Sequence, residues 1–404
     1  MNKKKISELA IFNGNKIFTT FKSTSNLLKP DINKFLNYSK SFYQARQYTN
    51  NGPNVKLLEK RLAKFHHTKH CVTFSSGFWA LALAAKVLSI KGRTEIIMPS
   101  LTYRRMTDMA VWAGLKPHFC EVDGSTLAMT VNTVEECINK NTALILAVHP
   151  IVNCCESKAL VELARANHIP ILFDSVESVY ESIAEGKIGE FGDAECFSLH
   201  ACKLFNGFGG GYLTTNDDEL ARQLASMRTF GFVNKDSVEV LDGLNAKLNE
   251  MHASMALASL DDIDTQVLAN KARYLTYLEY LEPLQGVRLL KFDQNFDSGF
   301  KNIVIELTKD WPFNRNDTVQ LLNAENILAR AHYSPPLHQK KMSYDFVQTN
   351  LLKTESIANR YINLPCGQQV TIDDIVKIVD FLFFIYQHSI QIKQKMSKRQ
   401  YRHG

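Results

Sequence analysis

From about residue 55 short apolar runs alternate with longer amphipathic ones. The short runs predict buried strands at Cys71–Phe74, Glu95–Met98, Ala143–Val148, Ile169–Phe173, Cys196–Leu199 and Tyr212–Thr215. The longer runs between them predict helices at Phe78–Leu88, Glu156–Asn167 and Asp217–Met227. Such alternation builds an α/β domain on a mostly parallel sheet, whose ligands gather at the carboxyl ends of the strands. After about residue 265 the pattern changes. A long charged helix (Gln266–Leu281) leads to sparser strands, a Pro-containing loop (Tyr333–Leu337) and a final helix from Asp373. The expected organisation is therefore a polar, irregular N-terminal arm (1–54), a large domain (55–265), a smaller α/β domain (266–390) and a basic, solvated tail (391–404). No internal repeat is evident.

Composition narrows the class. The 404 residues are 45% hydrophobic, 22% charged and 10% aromatic, the profile of a soluble globular chain. Nineteen glycines and eleven prolines exclude a collagenous or low-complexity chain. With 47 basic against 41 acidic residues, the net charge of +6 is too even to argue for nucleic acid, and a small anionic substrate fits it as well. The eight cysteines show no CxxC spacing and no histidine at zinc-finger distance, so they read as buried reduced thiols and no metal site is expected. Glu8 and Asn13 interrupt any signal-peptide core. The longest apolar stretch, around Ile378–Tyr386, contains Asp380 and is too short to span a bilayer. The expectation is a cytoplasmic protein with neither membrane nor nucleic acid as partner.

Four segments fall where strands of the sheet end. Ser75-Ser76-Gly77 opens a helix and presents free amides and the positive dipole end to an anion, although an ordinary serine cap explains it equally. Asp174 ends the run IPILF and reads either as a partner for a ligand cation or as a helix cap. Lys203, in FSLHACKLFNGFGGG, reads as a solvated loop lysine or as an amine able to form a Schiff base, with Ser198 five residues earlier. Tyr103, in PSLTY, reads as a packed aromatic or as a plate for a planar ligand. An anion cradle, a carboxylate, an amine and an aromatic plate together describe a site for pyridoxal 5′-phosphate.

The blocks YTNNGPNVKLLEKRLAKF, SSGFWALALA, EIIMPSLTY, GLKPHFCEVD, ILFDSVES, FGDAECFSLHACKLFNGFGGG, MRTFGF, GLNAKLNEMHASMALASL, YSPPLH and NLPCG follow in this order within the span from about Tyr48 to Leu382. Through them the chain resembles the DegT-type nucleotide-sugar aminotransferases, pyridoxal-phosphate enzymes of fold type I. TNNGP, FGF and NAKLNE are most similar to the branch that aminates C4 of dTDP-4-keto-6-deoxyhexoses. The resemblance implies a mostly parallel, seven-stranded-type sheet in the large domain. It also implies a function in deoxyamino-sugar biosynthesis, such as that of lipopolysaccharide or O-antigen, with L-glutamate as donor and 2-oxoglutarate as its product. By the same resemblance Lys203 bonds to the cofactor and moves the proton between Cα and C4′, and Asp174 pairs with the ring nitrogen. Ser76, Gly77 and Ser198 cradle the phosphate, and Tyr103 stacks on the ring. Asn245 in GLNAK reaches the phosphate of a neighbouring subunit, which implies a homodimer with shared sites. On the residues alone, Asn245 reads as the cap of a helix over His252–Leu260, and no path back to the cradle of its own chain is apparent.

Three positions depart from the family pattern. Phe78 stands where a threonine usually follows the cradle glycine, so its amide remains for the phosphate but a hydroxyl is lost. Glu177 stands where Gln or His lies near the ring's 3-oxygen, and a carboxylate there repels that oxygen unless one of the two is protonated. Phe208-Gly209-Gly210-Gly211 replaces FEGG. Lys203 argues against the related dehydratases, which carry histidine there. Amination at C3, and a catalytically silent homologue that binds the cofactor or a sugar nucleotide, stand as rival readings. His149, His200 and His338 read mainly as structural, and Arg104 and Arg105 as a solvated helix face or as contacts for a diphosphate.

Overall fold

A computed structural model describes residues 3–23, 29–234, 237, 238 and 240–400. Seven strands form the large sheet: β1 (His70–Phe74), β2 (Glu95–Pro99), β3 (Lys116–Cys120), β4 (Thr142–Val148), β5 (Ile171–Asp174), β6 (Ala194–Ser198) and β7 (Gly211–Thr215). Their order is β1-β7-β6-β5-β4-β2-β3. Only β7 runs against its neighbours β1 and β6; the pairs from β6 to β3 are parallel. The carboxyl ends of β1, β2, β5 and β6 therefore open on one edge. Six of these strands match runs in the hydrophobic pattern. The seventh, β3, was not among the predicted strands: KPHFC opens with an exposed lysine and contains Pro117, which an edge strand tolerates.

Burial holds the sheet in place. Phe173 and Phe197 are almost wholly buried, and such a ring contributes about 2 kcal/mol relative to leaving it exposed. The helix Gly77–Leu88 lies on β6 and β7. Ala80, Ala82, Ala84 and Ala85 are all fully buried and give it a face flat enough for close approach. Ser76 caps it by accepting the Trp79 amide at 3.3 Å.

A second sheet is antiparallel throughout. Its strands β8 (Val287–Leu289), β9 (Ile303–Leu307), β10 (Arg330–Ala331) and β11 (Tyr361–Leu364) lie in the order β8-β9-β11-β10. The helix Ile372–Gln387 covers it, burying Ile375, Ile378, Val379, Phe381, Leu382 and Ile385, and packs along the helix Ile263–Leu281. That helix begins three residues before the expected charged helix and spans the boundary expected at residue 265.

The N-terminal segment differs from the expected irregular arm, and the basic tail carries a helix. The described part of the first fifty residues is not irregular throughout: Lys22–Ser23 pairs in parallel with Ile327–Leu328, and Ile32–Ala45 is helical. Glu325 receives the Lys3 ammonium and the amides of Ala10 and Ile17, at 2.5, 2.8 and 2.9 Å. Leu9 and Phe18 are buried beside these contacts. The polar composition of the segment hides them because its partners lie some three hundred residues away. Most of the basic tail is helical (Ser389–Gln400), with Ile392 fully buried and Lys395 over the Phe12 ring at 4.3 Å. Residues 401–404 lie outside the described residues. No single helix among the described residues is long and apolar enough to cross a membrane.

Candidate active site

Strand β1 ends at Phe74, and the turn Ser75-Ser76-Gly77 follows. Ser75 donates its amide to Ala246 O at 2.7 Å, and Ser76 forms a bridge with Gly210. Gly77 meets β6 so closely that an added Cβ would lie 3.3 Å from Ser198 Cβ. A Cβ on Gly211 would lie 2.3 Å from the Gly77 nitrogen, so this position requires glycine. The structure thus brings Ser76, Gly77 and Ser198 together, as the sequence predicts. Phe78 packs edge-on against Trp79, with ring centroids 5.3 Å apart. Gly209, in the glycine-rich stretch, lies against the His252 ring.

Asp174 is the last residue of β5 and is 2% exposed. No helix follows it, which removes the cap reading; its Oδ1 accepts the Val176 amide at 3.3 Å. Burial raises its pKa to about 6 against the pull of the Lys203 charge. A buried acid so placed is suited to a cationic partner.

Lys203 sits in the turn after β6, where its amide donates to His200 O at 2.9 Å. Its ammonium donates to Glu177 Oε1, while Lys301 Nζ donates to Glu177 Oε2 at 2.6 Å. Asn302 Nδ2 approaches the same oxygen at 3.4 Å. Burial alone pushes the Glu177 pKa up, but the two ammonium groups outweigh it and hold the carboxyl well below its usual range. Burial lowers and Glu177 raises the Lys203 pKa, and the net direction is upward. Lys301, a residue that sequence reasoning missed, is thus a second cation on Glu177. Its signal was a lysine two residues before the buried run of β9, where the chain has no reason to place a solvated cation.

His332 and Tyr333 close the same side. Burial lowers the His332 pKa to about 4, with Glu177 acting in the opposite sense. Burial pushes the Tyr333 hydroxyl well above its usual range, and Glu177, Asp174, Cys202 and Tyr103 push it further. Tyr103 is itself half exposed at the mouth.

Beside Tyr103 a cavity of about 650 Å³ opens, lined by Arg104, Arg105, Lys340 and Lys341 with Asp108 and Tyr344. Arg105 pairs with Asp108 at 2.6 Å. Burial lowers the Lys340 pKa, and the neighbouring Arg104 charge lowers it again. An anion would relieve that crowding.

The remaining candidates separate clearly. His338 clamps its loop between Ser100 Oγ at 2.6 Å and Glu355 at 3.1 Å. His149 is buried behind β5, its Nδ1 taking the Cys155 amide at 3.3 Å. His200 is exposed, its Nδ1 3.1 Å from Cys202 Sγ. Asn245 does not cap the following helix; Asn249 does, accepting the His252 amide at 2.9 Å. A path to the cradle of its own chain does exist, through the Ser75–Ala246 bond, but the Asn245 side chain is exposed. Around it Phe230, Phe232, Val238 and Leu241 are exposed apolar residues, Leu241 at 83%. Among the described residues no cluster of His, Cys, Asp and Glu could hold a metal ion.

The sequence profile of the DegT/DnrJ/EryC1/StrS aminotransferase family matches residues 30–383. A dTDP-4-amino-4,6-dideoxy-D-glucose transaminase of Shigella dysenteriae is 27% identical over 352 residues, covering 87% of this chain and 95% of the relative. A UDP-N-acetyl-3-dehydro-alpha-D-glucosamine 3-aminotransferase of Acidithiobacillus ferrooxidans is 29% identical over 329 residues, 81% of this chain and 87% of the relative. The crystal structure of DesI in the presence of its TDP-sugar product superposes with a TM-score of 0.91 at 27% identity, over 97% of this chain and all of that one. Helicobacter pylori PseC, an aminotransferase of pseudoaminic acid biosynthesis, shares the fold with a TM-score of 0.83 at 24% identity, over 91% of this chain and 100% of that one.

Proposed function

The chain belongs to the DegT/DnrJ/EryC1/StrS aminotransferase family, and from that premise we propose that it aminates C4 of a dTDP-linked 4-keto-6-deoxyhexose, with L-glutamate as donor and 2-oxoglutarate as the other product. The observation that carries the reading is the convergence of Lys203, Asp174 and the Ser76-Gly77 cradle on one edge of one sheet. The likeness to DesI over nearly the whole chain supports the sugar-nucleotide class.

These residues fit pyridoxal 5′-phosphate. That cofactor supplies, when bound, an electron sink for the carbon that loses its proton. The amides of Gly77 and Phe78 and the hydroxyls of Ser76 and Ser198 hold a phosphate at the helix N-terminus. Asp174, a buried acid with a raised pKa, keeps a proton on a ring nitrogen by its charge. Tyr103 covers the ring face. The Lys203 amine is the group that gives up and regains a proton in each half of the cycle. The cavity lined by Arg104, Arg105, Lys340 and Lys341 takes the diphosphate of the substrate.

We infer a homodimer in which Asn245 serves the partner's phosphate. Its exposed amide and the apolar residues Phe230, Phe232, Val238 and Leu241 around it support that reading. Lys203→Ala and Asn245→Ala chains, each impaired alone, should regain activity when mixed, because one site of a mixed dimer carries neither lesion. Confirmed subunit exchange without any recovery rejects shared sites.

One similarity favours a second reading: the 29% identity to a 3-aminotransferase. Incubation with glutamate and either 3-keto or 4-keto dTDP-hexose, followed by NMR of the product, separates the two. Failure to convert bound cofactor to its amino form with glutamate alone would instead indicate a catalytically silent protein.

A further inference from the structure

Glu177 presents one oxygen to each of two ammonium groups, the largely buried Lys203 on Oε1 and the buried Lys301 on Oε2. The two cations come from different places, Lys203 from the turn after β6 and Lys301 from the start of β9. We propose that Lys301 is a permanent counter-ion to Glu177, keeping that carboxylate ionised while Lys203 is neutral or engaged, and is thereby a positioning residue for Lys203. The proposal rests on the reading of Lys203 as the amine that exchanges its proton in each cycle.

The argument is one of charge. An amine acts as nucleophile or base only after losing its proton, so Lys203 must periodically stop being a cation. If it were the sole partner of Glu177, each such event would leave a buried carboxylate alone. A carboxylate in that position takes up a proton, and its pKa rises by about three units or more. Glu177 would then pass from acceptor to donor and release the lysine it is meant to hold. With Lys301 at 2.6 Å on the other oxygen, the loss of the Lys203 charge leaves a closed ion pair.

None of the other groups facing Glu177 replaces it. Asp174, on the same turn, is an acid. Asn302 offers a neutral amide at 3.4 Å. His332 is pushed down by burial to a pKa of about 4 and is neutral at pH 7, and the buried Tyr333 hydroxyl keeps its proton. Lys203 and Lys301 are thus the cations available on this face. The arrangement also explains how a glutamate is tolerated here: Oε1 remains a strong acceptor for a nitrogen at the Lys203 position, while the net charge of the pair stays at zero.

The test reads the protonation of Glu177 directly, by infrared difference spectroscopy of the full chain against matched proteins carrying Glu177→Gln. Four cofactor-free proteins are compared from pH 5 to 9: the parent, Lys203→Met, Lys301→Met and the double variant. The parent and both single variants should show an ionised Glu177 at pH 7, because one ammonium suffices. The double variant should show a protonated carboxyl at pH 7, with a midpoint about three units higher. In protein loaded with pyridoxal 5′-phosphate, Lys301→Met alone should shift the ionisation of Glu177 to higher pH than in the loaded parent, leaving a protonated fraction at pH 7. Lys301→Arg should keep Glu177 ionised there.

A protonated Glu177 in Lys203→Met at pH 7 would overturn the proposal, as would an ionised one in the folded double variant. Should the double variant not fold, the loaded Lys301→Met and Lys301→Arg proteins decide the matter by the same band. A chain that takes up no pyridoxal 5′-phosphate refutes the functional reading of Lys203. The cofactor-free comparison would still decide whether Lys301 holds Glu177 ionised.

Discussion

The candidate site has two walls, built by different means. One is the edge of the large sheet, where Ser76, Tyr103, Asp174 and Ser198 stand at or just beyond strand ends. The other is a flank from the small sheet, carrying Lys301, Asn302, His332 and Tyr333. Asp174 and Glu177, three residues apart, show the contrast. Asp174 is isolated by burial and its pKa rises to about 6, whereas Glu177 is gripped by Lys203 and Lys301 and held low. In the proposed cycle the sheet edge supplies the groups whose protonation changes. The flank supplies a charge that does not change. Reactivity and its electrostatic setting are thus carried by separate parts of the chain.

The comparison breaks most severely at Lys203. Lys203→Ala should lower amino transfer at least about a thousandfold with the fold intact. Circular dichroism and glutamate half-turnover measure the two effects, and full turnover would remove Lys203 from the reaction.

Next in size is Asp174. Asp174→Asn should cut transfer about a hundredfold, since no charge then holds a proton on the ring nitrogen. The same change should stabilise the cofactor-free protein. The folded pKa of about 6 lies above the ordinary 3.8. Between those values the folded state binds the extra proton, so stability falls as pH rises through that window. About two units at 1.36 kcal/mol each give roughly 3 kcal/mol lost between pH 4 and 7. Urea unfolding at both pH values should show that loss in the parent and not in the variant.

The cavity beyond Tyr103 sharpens the contrast from outside both walls. Arg104→Ala and Lys340→Ala should each raise KM for the nucleotide sugar about tenfold. The glutamate half-reaction, which involves no diphosphate, should stay at its original rate. Equal losses in both half-reactions would place these residues in the shared machinery.

Glu177→Gln should give the smallest effect. It removes the acceptor that raises the Lys203 pKa and leaves the Lys301 charge nearby. The visible band of bound cofactor should therefore titrate about one unit lower. An unchanged midpoint would show that Glu177 does not act on that nitrogen.

The sheet-edge wall was largely legible in the sequence because its residues are set by local grammar. A buried run ends, a small or glycine-rich turn follows, and Ser76, Asp174 or Lys203 lands within a few residues of the strand end. The resemblance to known aminotransferases supplied their roles. The flank was not legible, since nothing near Lys301 announces Glu177, 124 positions earlier. Glu177 was singled out in the sequence for its carboxylate, yet its partner Lys301 was invisible there. The N-terminal segment failed for the same reason, its polar residues being satisfied by Glu325 and the edge at Ile327–Leu328. Strand β3 was lost to Pro117, and the tail helix to its many lysines. The alternative reading of Asn245 as a helix cap gives way to Asn249, four residues on, because nearby asparagines cannot be ranked without backbone geometry.

The reversed strand β7 has a consequence for the order in which the molecule comes into being. Strand β1, complete by residue 74, lies at the edge of the sheet and is paired in it through β7 alone, which ends at residue 215. The amide of Ser75 waits longer still, for the carbonyl of Ala246. Contacts so distant along the chain form late, after the local βα units have collapsed. The Ser75-Ser76-Gly77 turn is therefore written early in the polypeptide and finished late. A chain still emerging from the ribosome has the serines and glycine but not the strand that positions them. Cofactor capture at this turn would therefore require the whole sheet to be complete.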